Sequence, residues 1–286
     1  MTNQTISNFF LSQFNSLCPP LSFEFKSRSS FMYRNIFLLI FLLSFATGYS
    51  QKSDRSVNDE NFLNIGMKNL SFGYGMEFPF GELADRYSSN LKFTVGAERI
   101  TKSNWIYGIE FAFMFGDTVK EDPLAPLRLS NDELLGADNA YADVFLRQRG
   151  AFLGVNFGKI ISLKKNSRSG LRITGAIGLL AHKIRIVDES RSLPQIEEQY
   201  LKGYDRLTRG FALREFVGYQ HISEDKRINF YIGLEFTQGF TKHVRAINFD
   251  TGLPPDPSPR FDGLVSLKAA WVLPFFDDFV DEQIFY

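Results

Sequence analysis

The sequence predicts an all-β fold: a closed antiparallel transmembrane β-barrel of about eight strands, with long extracellular loops and short periplasmic turns. Three observations predict it. A secretory signal lies near the N-terminus, apolar and polar residues alternate through eight later segments, and the connections between these segments alternate in length. Together these features are typical of outer-membrane barrels.

The N-terminal region carries the three parts of a secretory signal. The apolar run from Ile36 to Phe45 follows the basic residue Arg34 and precedes small residues that end at Gln51. This run is well short of the roughly 20 residues that a membrane-spanning helix needs. We therefore expect a non-native upstream extension (1–31), a signal peptide (32–51), a periplasmic N-terminal segment (52–67), the barrel (68–276) and a periplasmic acidic and aromatic tail (277–286).

Composition excludes several classes of protein. Lys and Arg together number 32, as do Asp and Glu, so no basic surface for nucleic acid is indicated. The mean hydropathy of −0.14 excludes a bundle of membrane helices. Cys18, the single cysteine, lies before the signal, so we expect no disulfide, thiolate chemistry or cysteine-based metal site in the mature chain.

The eight segments have a period of two, the period of strands with two different faces. They span 70–78, 91–98, 105–115, 151–158, 171–179, 211–219, 228–237 and 265–273. In the first, Leu70, Phe72, Tyr74, Met76 and Phe78 share the apolar face. The sixth is weaker, because Glu215 falls on its apolar face without an evident reason.

Two folds can produce such alternation. A soluble sandwich buries its apolar face and turns the other to water, whereas a membrane barrel turns its apolar face to lipid. Here the polar face is rich in Gly, Ser and Thr, with one or two charges per strand. A narrow lumen needs small residues of this kind beside its long ones, so the pattern favours the barrel.

The connections also favour the barrel. Longer connections at 80–90, 116–143, 187–209 and 242–260 alternate with shorter ones at 100–104, 162–168 and 222–226. Outer-membrane barrels have long extracellular loops and short periplasmic turns, so this order predicts an even number of strands with both termini in the periplasm. The loop residues 200–206 and 248–257 mix apolar and charged side chains, which suits either a self-packed cap or a surface for a partner.

Eight charged residues fall on the polar face, four of them acidic and four basic. They are Glu77, Glu98, Glu110, Glu235, Lys92, Arg172, Arg214 and Lys268. Charges inside a narrow barrel must be paired, so we interpret them as a structural ion-pair network that plugs the lumen. Within it, we expect Glu110 and Glu235 to meet Arg172, Arg214 or Lys268. An ion path or a catalytic carboxylate cluster is the alternative interpretation.

No catalytic, cofactor or metal site is predicted. His182, His221 and His243 lack the spacing of metal ligands. His221 and Ser223 could form a His/Ser pair like that of outer-membrane lipid A deacylases, but they fall at a predicted periplasmic turn, whereas lipopolysaccharide occupies the outer leaflet. His182 lies near the outer end of the fifth strand, where a hydrogen-bonding role is more common than catalysis.

Several short motifs carry a family resemblance. They are the signal ending Gly48-Tyr49-Ser50-Gln51, the turn Pro79–Ala84, the strand ends Gly96-Ala97-Glu98 and Gly233–Phe236, and the terminal Tyr286. In these the chain resembles small outer-membrane β-barrel proteins of Bacteroidetes-type bacteria. The resemblance is architectural, and it implies a role such as an accessory part of secretion or envelope-assembly machinery. The tail 277–286 departs from the usual barrel, which ends on its last strand.

The sequence thus predicts a non-enzymatic outer-membrane protein that serves as a structural or accessory component of the cell envelope. The alternatives are a lipid-modifying enzyme of the outer leaflet and, third, a small-solute channel. Expected partners are the lipid bilayer and lipopolysaccharide, with protein partners at the outer loops or the tail.

Overall fold

The structure, a computed structural model, describes residues 66–163, 167–189, 192–197, 200–223 and 228–276. Eight antiparallel strands form a closed barrel in chain order, and the first strand pairs with the last. The strands are β1 (Met67–Gly81), β2 (Asn90–Ile100), β3 (Trp105–Gly116), β4 (Val144–Ser162), β5 (Gly170–Asp188), β6 (Thr208–Ile222), β7 (Asn229–His243) and β8 (Arg260–Phe276). The predicted fold class is confirmed. The predicted upstream extension, signal peptide and tail lie outside the described residues.

The alternation of residue types sets which face of each strand meets the barrel interior. Phe72, Phe111 and Leu234 are 39%, 44% and 49% exposed on the outer surface, as the period of two predicts. These and similar side chains form an outward apolar belt. A soluble sandwich would bury them, so the barrel places its apolar face toward lipid and resides in an outer membrane.

Glu215 does lie on the outer face, at the middle of β6. Its carboxylate accepts hydrogen bonds from the Gln238 side-chain amide at 3.4 and 3.5 Å. Gln238 is an outward residue of the neighbouring strand β7, so this polar pair interrupts the apolar belt. The hydrogen bonds from Gln238 on the next strand explain why a carboxylate is tolerated on the apolar face of β6, which the sequence alone did not explain.

The connections alternate in length as predicted, with outer loops at 82–89, 117–143, 189–207 and 244–259. The first of these, predicted as a loop of moderate length, contains a short helix, α1 (Glu82–Arg86). Gly81 has a φ of 65° between β1 and α1, and a Cβ there would lie 2.9 Å from the Phe261 carbonyl oxygen. This position therefore requires glycine. None of the helices in the described ranges is long and apolar enough to cross a membrane.

Strands β4 and β5 extend beyond their neighbours at the extracellular end. Strand β6 pairs with β5 only up to the register of Thr208 with His182. Residues 183–188 of β5 therefore pair with 144–149 of β4 alone. The resulting hairpin extends past the end of β6. Its inward residues Ile184 and Ile186 are buried in a cluster with the loop residues Leu193 and Ile196.

Candidate functional site in the barrel lumen

All eight predicted lumen charges lie inside the barrel, because each occupies an inward position of its strand. None is more than 7% exposed, and Glu77 and Lys92 are completely buried. Burial of a charge is strongly unfavourable unless an opposite charge and hydrogen bonds compensate it. Their pairing is therefore the central feature of the lumen.

Six of the eight form one continuous network. Lys92 Nζ lies 3.0 Å from Glu77 Oε1 and 2.5 Å from Glu235 Oε1. Arg214 bridges two carboxylates, with Nη1 at 2.7 Å from Glu110 and Nε at 3.2 Å from Glu235. Lys268 Nζ bridges the same two, at 2.5 Å and 3.0 Å. Three acids thus face three bases, and the network is neutral.

The other two charges form a separate pair. Arg172 Nη2 lies 2.5 Å from Glu98 Oε1, and its Nη1 donates to Gln220 at 2.9 Å. The Asn156 amide donates to the same Glu98 oxygen at 2.6 Å. Arg172 was expected among the possible partners of Glu110 and Glu235, but it pairs with Glu98, because both residues lie near the periplasmic ends of their strands.

Aromatic rings pack against these cations. The Arg214 guanidinium lies 3.8 Å from the centre of the Phe152 ring, and that of Arg172 lies 4.4 Å from the centre of the Tyr231 ring. Such contacts stabilise a desolvated cation. Sequence reasoning did not identify Phe152 and Tyr231 as lumen residues, although their places on the small-residue face of their strands were a usable signal.

Apolar residues close the lumen on the periplasmic side. Met67, Ile100, Ile106, Ile160 and Ile222 form a buried cluster there, each at most 3% exposed. The free space among the charged side chains is only about 10 Å³, which is at the lower limit for a single water molecule. The interior described here is a packed core rather than a pore.

A second polar cluster lies at the extracellular end of the lumen. His182 Nε2 lies 2.8 Å from Asp262 Oδ2, and the Thr241 hydroxyl donates to the same carboxylate oxygen. The Tyr87 ring packs edge-on against His182, with ring centres 5.6 Å apart. His182, Thr241 and Asp262 are at most 2% exposed. Thus His182 forms a buried hydrogen bond, the role anticipated for it.

The His221–Ser223 pair considered from the sequence has different partners for its two residues. His221 Nδ1 lies 3.5 Å from the Ser169 hydroxyl, and the Ser223 backbone N–H donates to the Asn229 side chain at 3.0 Å. The described residues contain no group of His, Cys, Asp and Glu that could hold a metal ion.

The outer loops pack on one another above the lumen. Glu121 Oε2 accepts from Arg86 Nε at 2.6 Å, and Oε1 accepts from Arg206 Nε at 2.6 Å. Arg206 also lies 2.5 Å from Asp250, which joins the third and fourth loops. Burial opposes ionisation of Glu121, but Arg86 and Arg206 outweigh it and hold its pKa below the usual range. These loops therefore form an ordered cap.

This arrangement predicts that the cap loosens in acid. Because the folded-state pKa of Glu121 is lowered, its contribution is present above the unfolded pKa of about 4.3 and is lost as pH falls through the folded value. The protection factors of the loop amides, which are exchange rates corrected for the intrinsic effect of pH, should therefore fall on acidification. Glu121→Gln should show low protection factors already at neutral pH and depend less on pH, whereas Glu133→Gln, an exposed site in the same loop, should behave as wild type. Equal pH profiles for wild type and Glu121→Gln would contradict this prediction.

Comparisons with known proteins show likeness only at the level of structure. Neisserial surface protein A is similar at a TM-score of 0.37 and 8% identity, covering 73% of this chain and 97% of its own. Ail, the attachment invasion locus protein of Yersinia pestis, is similar at 0.36 and 11%, covering 73% and 99%. Outer membrane protein OprG from Pseudomonas aeruginosa is similar at 0.29 and 7%, covering 73% and 95%. No protein-family model and no curated protein sequence matches the chain.

Proposed function

We propose that this chain is a non-enzymatic outer-membrane barrel that serves as a structural or accessory component of the cell envelope. The observation that carries the proposal is the lumen, where eight charges compensate one another and apolar side chains close the periplasmic end. A neutral, packed interior offers a solute neither a path nor an unpaired charge. Such a barrel acts through its outer surface, its loops and its termini.

A finer role in secretion or outer-membrane assembly is supported by the resemblance to Bacteroidetes-type barrels. The lipid bilayer and lipopolysaccharide are the proposed environment, and the ordered cap is the proposed surface for a protein partner. Purification from native membranes in mild detergent, followed by identification of co-purifying proteins, tests this role. Recovery of the intact barrel without any stoichiometric partner would contradict it.

The closed lumen predicts that the purified protein does not conduct ions. In planar bilayers, wild type should show no steady conductance under conditions in which a porin conducts, because the ionic network leaves space for about one water at most. A steady, linear current–voltage relation for wild type would overturn the closed-lumen proposal and restore the small-solute channel.

The second candidate is a lipid-modifying enzyme of the outer leaflet, and the His182–Asp262–Thr241 cluster is the observation that favours it. The geometry differs from a nucleophilic triad, in which the carboxylate and the nucleophile contact different imidazole nitrogens. Here Thr241 bonds Asp262 instead. His182→Gln should therefore leave the composition of outer-leaflet lipids unchanged. An altered acylation or headgroup pattern, with the protein still folded, would favour the enzyme.

A further inference from the structure

The extracellular rim of the barrel has two chemically different halves. Aromatic side chains occupy the outward rim positions of β1, β3 and β8, including Phe80, Phe115 and Phe261. Phe80 and Phe261 pack with ring centres 6.0 Å apart. Aromatic girdles of this kind mark the level at which the hydrocarbon meets the lipid headgroups.

The other half of the rim is basic. Six cations occupy outward positions on β4, β5, β6 and β7, and we call them the basic band: Arg147, Arg149, Lys183, Arg185, Arg209 and Lys242. Apolar outward residues lie one step below them, with Phe211 following Arg209 on β6 and Phe240 preceding Lys242 on β7. The basic band is therefore at the headgroup level.

The strand register places like charges directly opposite one another. Arg147 faces Arg185 and Arg149 faces Lys183 across β4 and β5. Arg209 faces Lys242 across β6 and β7. Directly opposed like charges destabilise a sheet. Three such pairs on one continuous face are a destabilising arrangement unless an anion bridges them.

Among the described residues, few carboxylates lie near the basic band. In the part of the chain that the structure describes, two carboxylates approach the basic band: Asp117 lies 3.6 Å from Arg147, and Asp205 lies 3.9 Å from Lys183. Asp205 is already engaged by Arg245, at 2.5 and 2.8 Å. Asp117 is 83% exposed, so solvent screens its attraction. A net positive charge therefore remains on the band.

A groove beside the band offers space for a headgroup. It has a volume of about 1090 Å³ and is bordered by Arg149, Lys183 and Arg185 on the strand side. The remaining border includes Asp188 at the end of β5 and the acidic loop residues Asp138, Glu197 and Asp205. A bound anion would therefore lie against the strands, and neutral sugar hydroxyls would suit the loop side.

We propose that the basic band binds the phosphate groups of an outer-leaflet glycolipid, of the lipid A type, with the acyl chains on the apolar belt below. This inference rests on the proposed lipopolysaccharide environment and assigns the site at which that glycolipid contacts the barrel. Arg guanidinium groups suit phosphate because they form two parallel hydrogen bonds. The phosphates would replace the repulsion between the facing cations with attraction.

The test uses the full barrel in lipid nanodiscs or detergent, with phosphorylated lipid A and enzymatically dephosphorylated lipid A as probes. The band variant carries Arg149→Gln, Lys183→Gln and Arg185→Gln. The matched control carries Lys68→Gln, Arg99→Gln and Lys159→Gln, which removes three outward cations at the periplasmic end. Each Lys or Arg near an anionic surface contributes roughly fivefold in affinity, so the band variant should bind phosphorylated lipid A about 100-fold more weakly. The control should bind as wild type.

Thermal stability provides a second readout, because the proposal and a merely structural role predict opposite shifts of the unfolding temperature. In neutral detergent without lipid A, the band variant should unfold at a higher temperature than wild type, because repulsion has been removed. Phosphorylated lipid A should then stabilise wild type more than the variant, since a ligand of the folded state raises stability according to its affinity. A merely structural role for these cations would instead lower the unfolding temperature of the variant.

Three results would overturn the proposal. Wild type could bind both lipid A forms equally, the two triple variants could weaken binding equally, or a soluble sulfated polysaccharide could bind more tightly than lipid A and displace it. The last result would assign the band to an extracellular polyanion. None of these results affects ion conductance, so failure here is distinguishable from failure of the closed-lumen proposal.

Discussion

Arg214→Ala is expected to destabilise the barrel by about 3–5 kcal/mol, the loss typical of a broken buried ion pair. Arg214 bridges Glu110 and Glu235 and packs on Phe152. Without it, three buried carboxylates face two lysines, and the network carries an uncompensated negative charge. Reversible urea unfolding in lipid vesicles measures the free energy of unfolding.

Two further variants separate charge from packing. Glu110→Gln combined with Arg214→Gln restores neutrality, so the double variant should recover part of the loss. Lys102→Ala removes an exposed cation from a periplasmic turn and should change stability by less than about 0.5 kcal/mol. If Arg214→Ala unfolded like wild type but abolished an envelope phenotype, the lumen charges would be a functional site and their interpretation as a structural network would be wrong.

Val155→Arg should cost about 2–4 kcal/mol of stability in lipid, because it places a guanidinium at the middle of the hydrocarbon. Val155 is 55% exposed on the outer face of β4. Arg149 at the extracellular rim and Lys159 near the periplasmic end lie on the same face of this strand, so Val155 lies about midway between the two headgroup levels.

The matched control is Ile161→Arg, on the same face of the same strand but at its periplasmic end. Near the interface the loss should fall to about 0–1 kcal/mol. Unfolding of both variants in vesicles therefore measures depth in the membrane. Equal and negligible losses would indicate a water-exposed face and contradict the membrane placement.

The two faces of each strand were predictable because the pleat of a strand fixes the side to which each side chain points. Successive side chains point to opposite sides, so the position of Glu110 or Lys268 among apolar neighbours already determined that it faces inward. The number of strands followed equally from local pattern and connection length. These features depend on residues that are close together in the chain, so a single sequence is enough to predict them.

The register across the barrel decided which inward and outward residues meet. Arg172 contacts Glu98, 74 positions away, rather than Glu110. The register also places Arg147 opposite Arg185 in the basic band. Both residues lie in parts of β4 and β5 that extend beyond the predicted segments. The cap contact between Arg206 and Asp250 has the same origin. The sequence by itself thus determined the barrel and its two faces, whereas the tertiary structure decided the ion-pair partners, the cap and the band, because strand closure and stagger are set by the whole sheet together.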